Sequence, residues 1–301
     1  GLEGRGGLEG RGGLEGLRLQ EGALERRVEL VHDDEEGGVF VTSAEIGVFG
    51  GSGFYAFLDD PEEVTIETPY GPPSAPITIG TIGERRVAFL PRHGKDHEFP
   101  PHLVPYRANV WAMKELGVTR LFGPSAAGSL RRDIAPKTFV VSDQAIDFTK
   151  SRAYTFFDGP VTTHVSFADP YCPEMRGALV STAAGIGIAH RDGGTMVVIE
   201  GPRFSTRAES KMFAQVGGDV IGMTQFPEVT LAREAELCFA NVALVTDYDV
   251  GVDDIAPVSH HEVLKVFGEN IEALRDLLFA AIPEVPAERG CTCGRSLAGS
   301  S

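Results

Sequence analysis

The chain has 301 residues, 42% of them hydrophobic, and a formal net charge of −16. That length supports one large α/β domain with appendages. The negative charge excludes an extended surface for nucleic acid or an anionic membrane, so any phosphate it handles belongs in a small local site. No apolar run approaches the roughly 18 residues of a membrane span. The N-terminus lacks the apolar segment of a secretory signal, so a cytoplasmic protein is expected.

The N-terminal unit Gly1-Leu2-Glu3-Gly4-Arg5-Gly6 recurs from Gly7 and again, in part, from Gly13. Glycine this dense cannot hold a helix, and the repeat is too short for a solenoid. With the charged stretch around Asp33-Asp34-Glu35-Glu36, residues 1–44 read as a low-complexity, disordered extension. A folded domain is expected over 45–283, and a short tail over 284–301. Ile46 to Phe49 reads as a buried strand running into Gly50-Gly51-Ser52-Gly53. A hairpin follows from Pro76 to Leu90, then a helix from Pro105 to Leu116 that stops at Gly117. Thr119–Phe122 is a strand that leads into Ser125-Ala126-Ala127-Gly128-Ser129, small residues that either lie flat beneath a ligand or simply turn. Phe139–Val141 is a strand and Pro173–Ile186 a helix. Met196–Ile199 and Val242–Val245 are apolar runs of the kind buried in parallel sheets. Ser205–Phe213 opens a helix, and Pro227–Cys238 forms another with proline in its first turn, where the missing N–H costs little. Ser259–Ile282 places Val263, Leu264, Phe267, Ile271, Leu274, Leu277 and Leu278 at helical spacing. The alternation predicts a single α/β domain with a central mixed, largely parallel β-sheet flanked by helices.

Ligands of open α/β sheets sit beyond the carboxyl ends of the strands. Here those ends carry Gly201-Pro202-Arg203-Phe204-Ser205, Met223-Thr224 and Thr246-Asp247-Tyr248-Asp249. An aromatic face, a hydroxyl and two carboxylates suit a flat heterocycle with exocyclic amino hydrogens. A carboxyl partly shielded from water rises in pKa and can hold a proton to donate, although Asp247 and Asp249 also fit a helix cap or a buried salt bridge. Gly50-Gly51-Ser52-Gly53 offers backbone N–H groups and a hydroxyl to an anion, or is a plain turn; it lacks the lysine and spacing of a P-loop. Arg92-His93-Gly94 presents a planar donor fork to phosphate or carboxylate, or a solvated basic turn. His97 and His102 lie nearby in sequence, but no cysteine or carboxylate completes a metal set with these histidines, and no metal is expected.

Taken in order, these segments resemble the trimeric purine nucleoside phosphorylase family, and within it the branch acting on 5′-methylthioadenosine. The matching residues are Gly50-Gly51-Ser52-Gly53, Arg92-His93-Gly94, Ala126-Ala127-Gly128-Ser129, Ile199 to Ser205, Met223-Thr224 and Thr246 to Asp249, spread from about Glu45 to Pro283. Each is unspecific alone; the ordered set is specific. The resemblance implies reversible phosphorolysis: inorganic phosphate attacks C1′ of a purine nucleoside and releases the base. It implies that Ser52, Arg92, His93, Ser125 and Thr224 bind phosphate, with serine at 52 and 125 where the family often has threonine. Met223 would pack on the ribose, and Ala126, Phe204 and Ser205 would line the base pocket. Asp247, supported by Asp249, would serve as general acid at N7 and contact the exocyclic amine. Phosphate is then a co-substrate, and no metal or organic cofactor is implied.

The 6-oxopurine branch usually carries asparagine at the position of Asp247 and glutamate at that of Ser205, so a 6-aminopurine is expected. Val258, Val263 and Leu264 suit a methylthio group at the 5′ end. His260 matches instead a histidine that contacts a 5′-hydroxyl, or it turns outward beside His261. His164 matches a residue that reaches into a neighbouring subunit, which implies a homotrimer with shared active sites. Two other readings remain at this point: a 6-oxopurine nucleoside phosphorylase and a non-catalytic purine-binding protein. Of the four cysteines, Cys172 and Cys238 read as core residues, whereas Cys291-Thr292-Cys293 is a redox or metal pair only on a weak signal.

Overall fold

A strand with no polar residue on either face is a strand buried on both sides. Ile46, Gly47 and Val48 meet that description, and all three are buried. The computed structural model describes residues 31–33, 39–41, 43–50, 58, 61–160, 162–252 and 259–299. In chain order the elements are β1 (Val31–Asp33), β2 (Val39–Val41), β3 (Ile46–Val48), β4 (Glu62–Val64), β5 (Ile77–Ile82), β6 (Arg85–Phe89), α1 (Tyr106–Glu115), β7 (Arg120–Phe122), β8 (Ser125–Ser129), β9 (Phe139–Val141) and β10 (Gln144–Phe148). There follow α2 (Pro173–Gly185), β11 (His190–Asp192), β12 (Thr195–Ile199), α3 (Arg207–Gln215), β13 (Val220–Gly222), α4 (Gln225–Glu234), β14 (Cys238–Ala240), β15 (Val242–Tyr248) and α5 (His260–Glu284).

The expected mixed, largely parallel α/β architecture is present, with its strands divided between two main sheets. One runs β14-β7-β3-β6-β5-β4; its first four strands are parallel and its β6-β5-β4 edge is antiparallel. The other runs β10-β12-β13-β8-β15-β9-β11, in which β13–β8 and β15–β9 are antiparallel and the remaining pairs parallel. Within the stretch expected to be disordered, β1 and β2 pair antiparallel as a separate sheet. The glycine repeat lies outside the described residues.

Two local expectations are corrected. Ser125–Ser129 is a strand, β8, paired on both sides by β13 and β15. Its small side chains let both neighbours approach, and its residues alternate between buried and half-buried. The helix expected to run to Cys238 ends at Glu234: Glu236 takes φ +58°, and the fully buried Cys238–Ala240 pairs with β7 instead. A helix cannot continue through a left-handed residue.

Because side chains alternate across a strand, successive residues feed different cores. Leu121 packs with Val110, Met113 and Val229 beneath α1 and α4, while Phe122 packs with Phe139, Leu179, Leu274 and Leu278 beneath α2 and α5. Of the residues spaced along α5, Leu274, Leu277 and Leu278 are buried in this second core with Phe267 and Ile271 packed against it, whereas Leu264 is exposed.

The two sheets meet at Asn241, which is fully buried between β14 and β15. Its Nδ2 donates to Gly123 O at 2.9 Å and to Ser125 Oγ at 3.1 Å, and its Oδ1 accepts from Ser142 Oγ at 2.7 Å. One amide thus pins the end of β7, the start of β8 and the turn after β9. Asn241→Ala would leave buried polar groups unmatched; a stability loss of about 2–4 kcal/mol is expected, read as a lower denaturant midpoint with an unchanged m-value.

Candidate active site

The strand ends open onto a cavity of about 660 Å³. Arg92, His93, Ser125, Ala126, Phe204, Ser205, Met223, Thr224, Asp247, Asp249, Val263 and Leu264 all line it. Residues from opposite ends of the sequence are thus brought together. Ser52 and Val258 lie outside the described residues, as does the side chain of His260. His164 is exposed on a loop and does not line this cavity.

One end of the cavity is built to meet an anion. Arg92, 7% exposed, is held by both carboxylate oxygens of Glu228 and donates Nη1 to Pro124 O at 2.9 Å. Three of the guanidinium's five N–H groups are thereby used, and the fork is fixed in place. Burial pushes the Glu228 carboxyl up, and the Arg92 charge opposes that. His93 donates Nδ1–H to Phe99 O at 2.8 Å, which leaves Nε2 as the free ring position. Burial, and next the charge of Arg92, lower His93 to about 4, so it is neutral near pH 7. His97 stacks on it at 4.5 Å between ring centroids. Thr224, the residue before α4, has a buried hydroxyl with no hydrogen-bond partner among the described residues. Ser125 Oγ accepts from Asn241, leaving its own hydrogen to donate. These donors line the same cavity, and the Glu228 carboxylate beside them is already spent on Arg92.

The other end carries the carboxyls. β15 shifts register against β8 between Val245 and Asp247. That irregularity turns Asp247 toward the cavity, where Thr246 Oγ1 donates to its Oδ2 at 2.7 Å. Burial raises Asp247 from 3.8 to about 6, against the Thr246 hydrogen bond and with help from nearby Asp249. Asp249 is also raised by burial, partly offset by the Ser210 hydroxyl. Gly128 makes room beneath the pair: a Cβ there would sit 3.1 Å from Asp247 Oδ1. Phe204, Met223 and Ile221 also line the cavity, and α5 contributes Val263, Leu264 and Phe267 to its wall.

Sequence reasoning missed the residues that hold these groups still. Arg152 is nearly buried and donates to four main-chain carbonyls: Met223 O at 2.7 Å, Phe226 O at 2.5 Å, Glu200 O at 2.6 Å and Ile199 O at 3.3 Å. It sits in the polar run Lys150-Ser151-Arg152, where no pattern marks it. Glu228 was hidden as an ordinary first-turn acid of α4. Gly201 adopts φ +64° against Met223, with its would-be Cβ 2.7 Å from Met223 Sδ.

A model of the phosphorylase superfamily matches residues 45–283. The chain belongs to that superfamily. This member is 57% identical over 255 residues to the S-methyl-5′-thioadenosine phosphorylase of Thermofilum pendens, covering 84% of this chain and 97% of that one. It is 52% identical to a purine nucleoside phosphorylase of Streptomyces coelicolor, with 85% and 95% covered. Among solved structures, a methylthioadenosine phosphorylase from an antarctic soil metagenomic library superposes with TM-score 0.82 at 40% identity, covering 86% of this phosphorylase and 92% of that chain. The Schistosoma mansoni methylthioadenosine phosphorylase in complex with adenine gives 0.79 at 35% identity, with 86% and 99% covered. No described helix of this phosphorylase is long and apolar enough to cross a membrane.

The raised Asp247 has a stability consequence. The folded protein keeps a proton that the unfolded chain releases near pH 4. The stability tied to that proton is full below about pH 4, falls as pH rises to about 6, and is gone above it. Asp247→Asn removes the charged form and should raise Tm at pH 8. The gap should open between pH about 4 and 6, reach at most about 3 kcal/mol and then stay flat, as melts across that range would record.

Proposed function

We propose that this phosphorylase converts 5′-methylthioadenosine and phosphate into adenine and the 5-methylthio derivative of ribose 1-phosphate. The observation that carries this is a single cavity lined by the Arg92, His93, Ser125 and Thr224 donors, by Asp247, and by the apolar side chains of Phe204, Ile221, Met223, Val263 and Phe267. Similarity to enzymes named for methylthioadenosine supports the same substrate. The enzyme is a pentosyltransferase.

In this reading Arg92, Ser125 and Thr224 donate to phosphate oxygens, and Ser52 joins them. Neutral His93 accepts the hydroxyl proton of hydrogen phosphate at Nε2, which turns an anionic oxygen toward C1′. The C1′–N9 bond breaks through an oxocarbenium-like state, and phosphate oxygen forms the new bond to C1′. The electron pair of the broken bond enters the purine, where Asp247 delivers its proton to N7. Preorganised charges in a site sheltered from water stabilise this separation more than bulk water does. Phosphate is the co-substrate, and the reaction calls for no cofactor.

The second oxygen of Asp247 accepts from the 6-amino group. A 6-oxo group there would set acceptor against acceptor, so inosine and guanosine are not favoured. Phe204 and Ala126 flank the base, Ser205 and Asp249 hold the carboxyl, and Met223 covers the ribose. Val263, Leu264 and Phe267 favour methylthio over hydroxyl at the 5′ end. We assign catalysis to 45–283, with 1–44 and 284–301 as appendages, and we place the enzyme in the cytoplasm, where cysteines outside disulfides, like its four, persist.

The working form is a homotrimer in which the exposed loop carrying His164 completes a neighbour's site. Turnover in phosphate buffer should rank methylthioadenosine above adenosine and both far above inosine by kcat/KM; inosine ranking first would overturn the assignment of Asp247. Asp247→Asn should cut kcat by about 10²–10⁴-fold with little change in phosphate affinity. For the shared site, His164→Ala and Asp247→Asn variants, each impaired alone, should regain activity when dissociated and reassembled together. An unchanged sum of the two would mean that each site is self-contained.

A further inference from the structure

The Cys172, Cys238, Cys291 and Cys293 sulfurs all lie within 4.8 Å of one another, far in sequence but gathered on the side of the second core. Cys172 caps the N-terminus of α2, Cys238 opens β14, and Cys291 and Cys293 come from the segment that follows α5. Cys172, Cys238 and Cys293 are buried. Cys291 Sγ is 3.8 Å from Cys172 Sγ and 3.4 Å from Cys238 Sγ. A tetrahedral Zn–S distance of about 2.3 Å gives a sulfur–sulfur edge of about 3.8 Å. The cluster therefore has the ligand number, softness and spacing of a closed tetrathiolate centre.

Its surroundings suit a negative centre. Four thiolates around one divalent cation carry a net charge of −2, which a buried site must balance. Fully buried Arg120 donates Nη1 to Cys238 Sγ at 3.3 Å and also to Glu174 Oε2 at 2.8 Å, so its charge is shared between the cluster and that carboxylate. The same guanidinium donates Nη2 to Pro286 O at 2.6 Å and to Glu288 O at 2.9 Å, which orders the chain on its way to Cys291. The N-terminus of α2 adds its partial positive charge beside Cys172. Contacts to the sulfurs of this kind orient ligands and offset their charge.

We propose that these four cysteines bind one zinc ion, or a similarly thiophilic divalent cation, in a structural site that fastens the C-terminal tail to the domain. Binding displaces four thiol protons and forms four metal–sulfur bonds, with no change of oxidation state. The centre lies away from the cavity that holds Asp247 and takes no part in the reaction. This corrects the expectation of no metal: the Cys-x-Cys pair is half of a ligand set whose other half is about 53 and 119 residues upstream in the chain.

The test uses the full chain, purified under reducing conditions, incubated with zinc and desalted. Elemental analysis should find one zinc per chain, and cobalt substitution should give the intense thiolate charge-transfer and visible bands of tetrahedral cobalt. A Cys291→Ser/Cys293→Ser double variant should lose the metal, and its Tm should fall by roughly 5–10 °C. Its kcat/KM for nucleoside at ambient temperature should stay within about twofold of the wild type, because no site residue is touched. Chelation of the wild type should produce the same Tm shift, which keeps the test independent of how the variant folds. A wild-type chain that retains no zinc and binds no cobalt through sulfur would overturn the proposal. So would mass analysis of non-reduced protein showing these cysteines paired as disulfides.

Discussion

Arg152 is the point on which the site depends. A main-chain carbonyl in a buried loop must find a donor or lose free energy. Arg152 supplies that donor to Ile199, Glu200, Met223 and Phe226 at once. The segments 199–200 and 223–226, beside the cavity, are thereby fixed to each other by one charged side chain. Its ring contact with Tyr106 and its approach to Glu200 balance the cation in the interior. Without that tie, Met223 and Gly201 would have no reason to hold the close approach that shapes the cavity floor.

The rest of the site follows from a division of charge inside one cavity. Arg92 has its charge steadied by Glu228, so its guanidinium is an oriented fork rather than a mobile cation. The carboxyls gather at the end of β15, where burial makes the neutral acid accessible near neutral pH. The same burial that costs stability at Asp247 prepares it to give up a proton, which is the usual relation between strain at a site and its chemistry.

Much of this was legible without coordinates. Apolar runs such as Val242–Val245 and Met196–Ile199 can only be buried strands, and the helical spacing of the last long segment can only be a face packed on the core. Glycine and hydroxyl residues after strands marked the loops that now line the cavity. What escaped notice were residues whose partners are backbone atoms or distant side chains. Arg152 looks like loop surface, Glu228 like a helix-start acid, and Asn241 like any polar residue between strands. Ser125–Ser129 stayed open between a flat segment beneath a ligand and a turn because small residues lack strand propensity; neighbouring strands impose the strand conformation instead.

The amino-acid sequence by itself determined the longer apolar strands and the amphipathic helices, since burial periodicity is a local property, whereas strands as short as β13 and β14 hold too few residues to show a period and take their conformation from their neighbours. It also placed the chemistry-bearing residues at strand ends, because an apolar run must stop before a charge. Only the tertiary structure decided which of those residues face one another, how Arg92 and Asp247 come to differ in environment, and that Cys172 and Cys238 meet Cys291 and Cys293. Those outcomes depend on contacts between segments far apart in the chain, and no local pattern of residue types encodes such a distance.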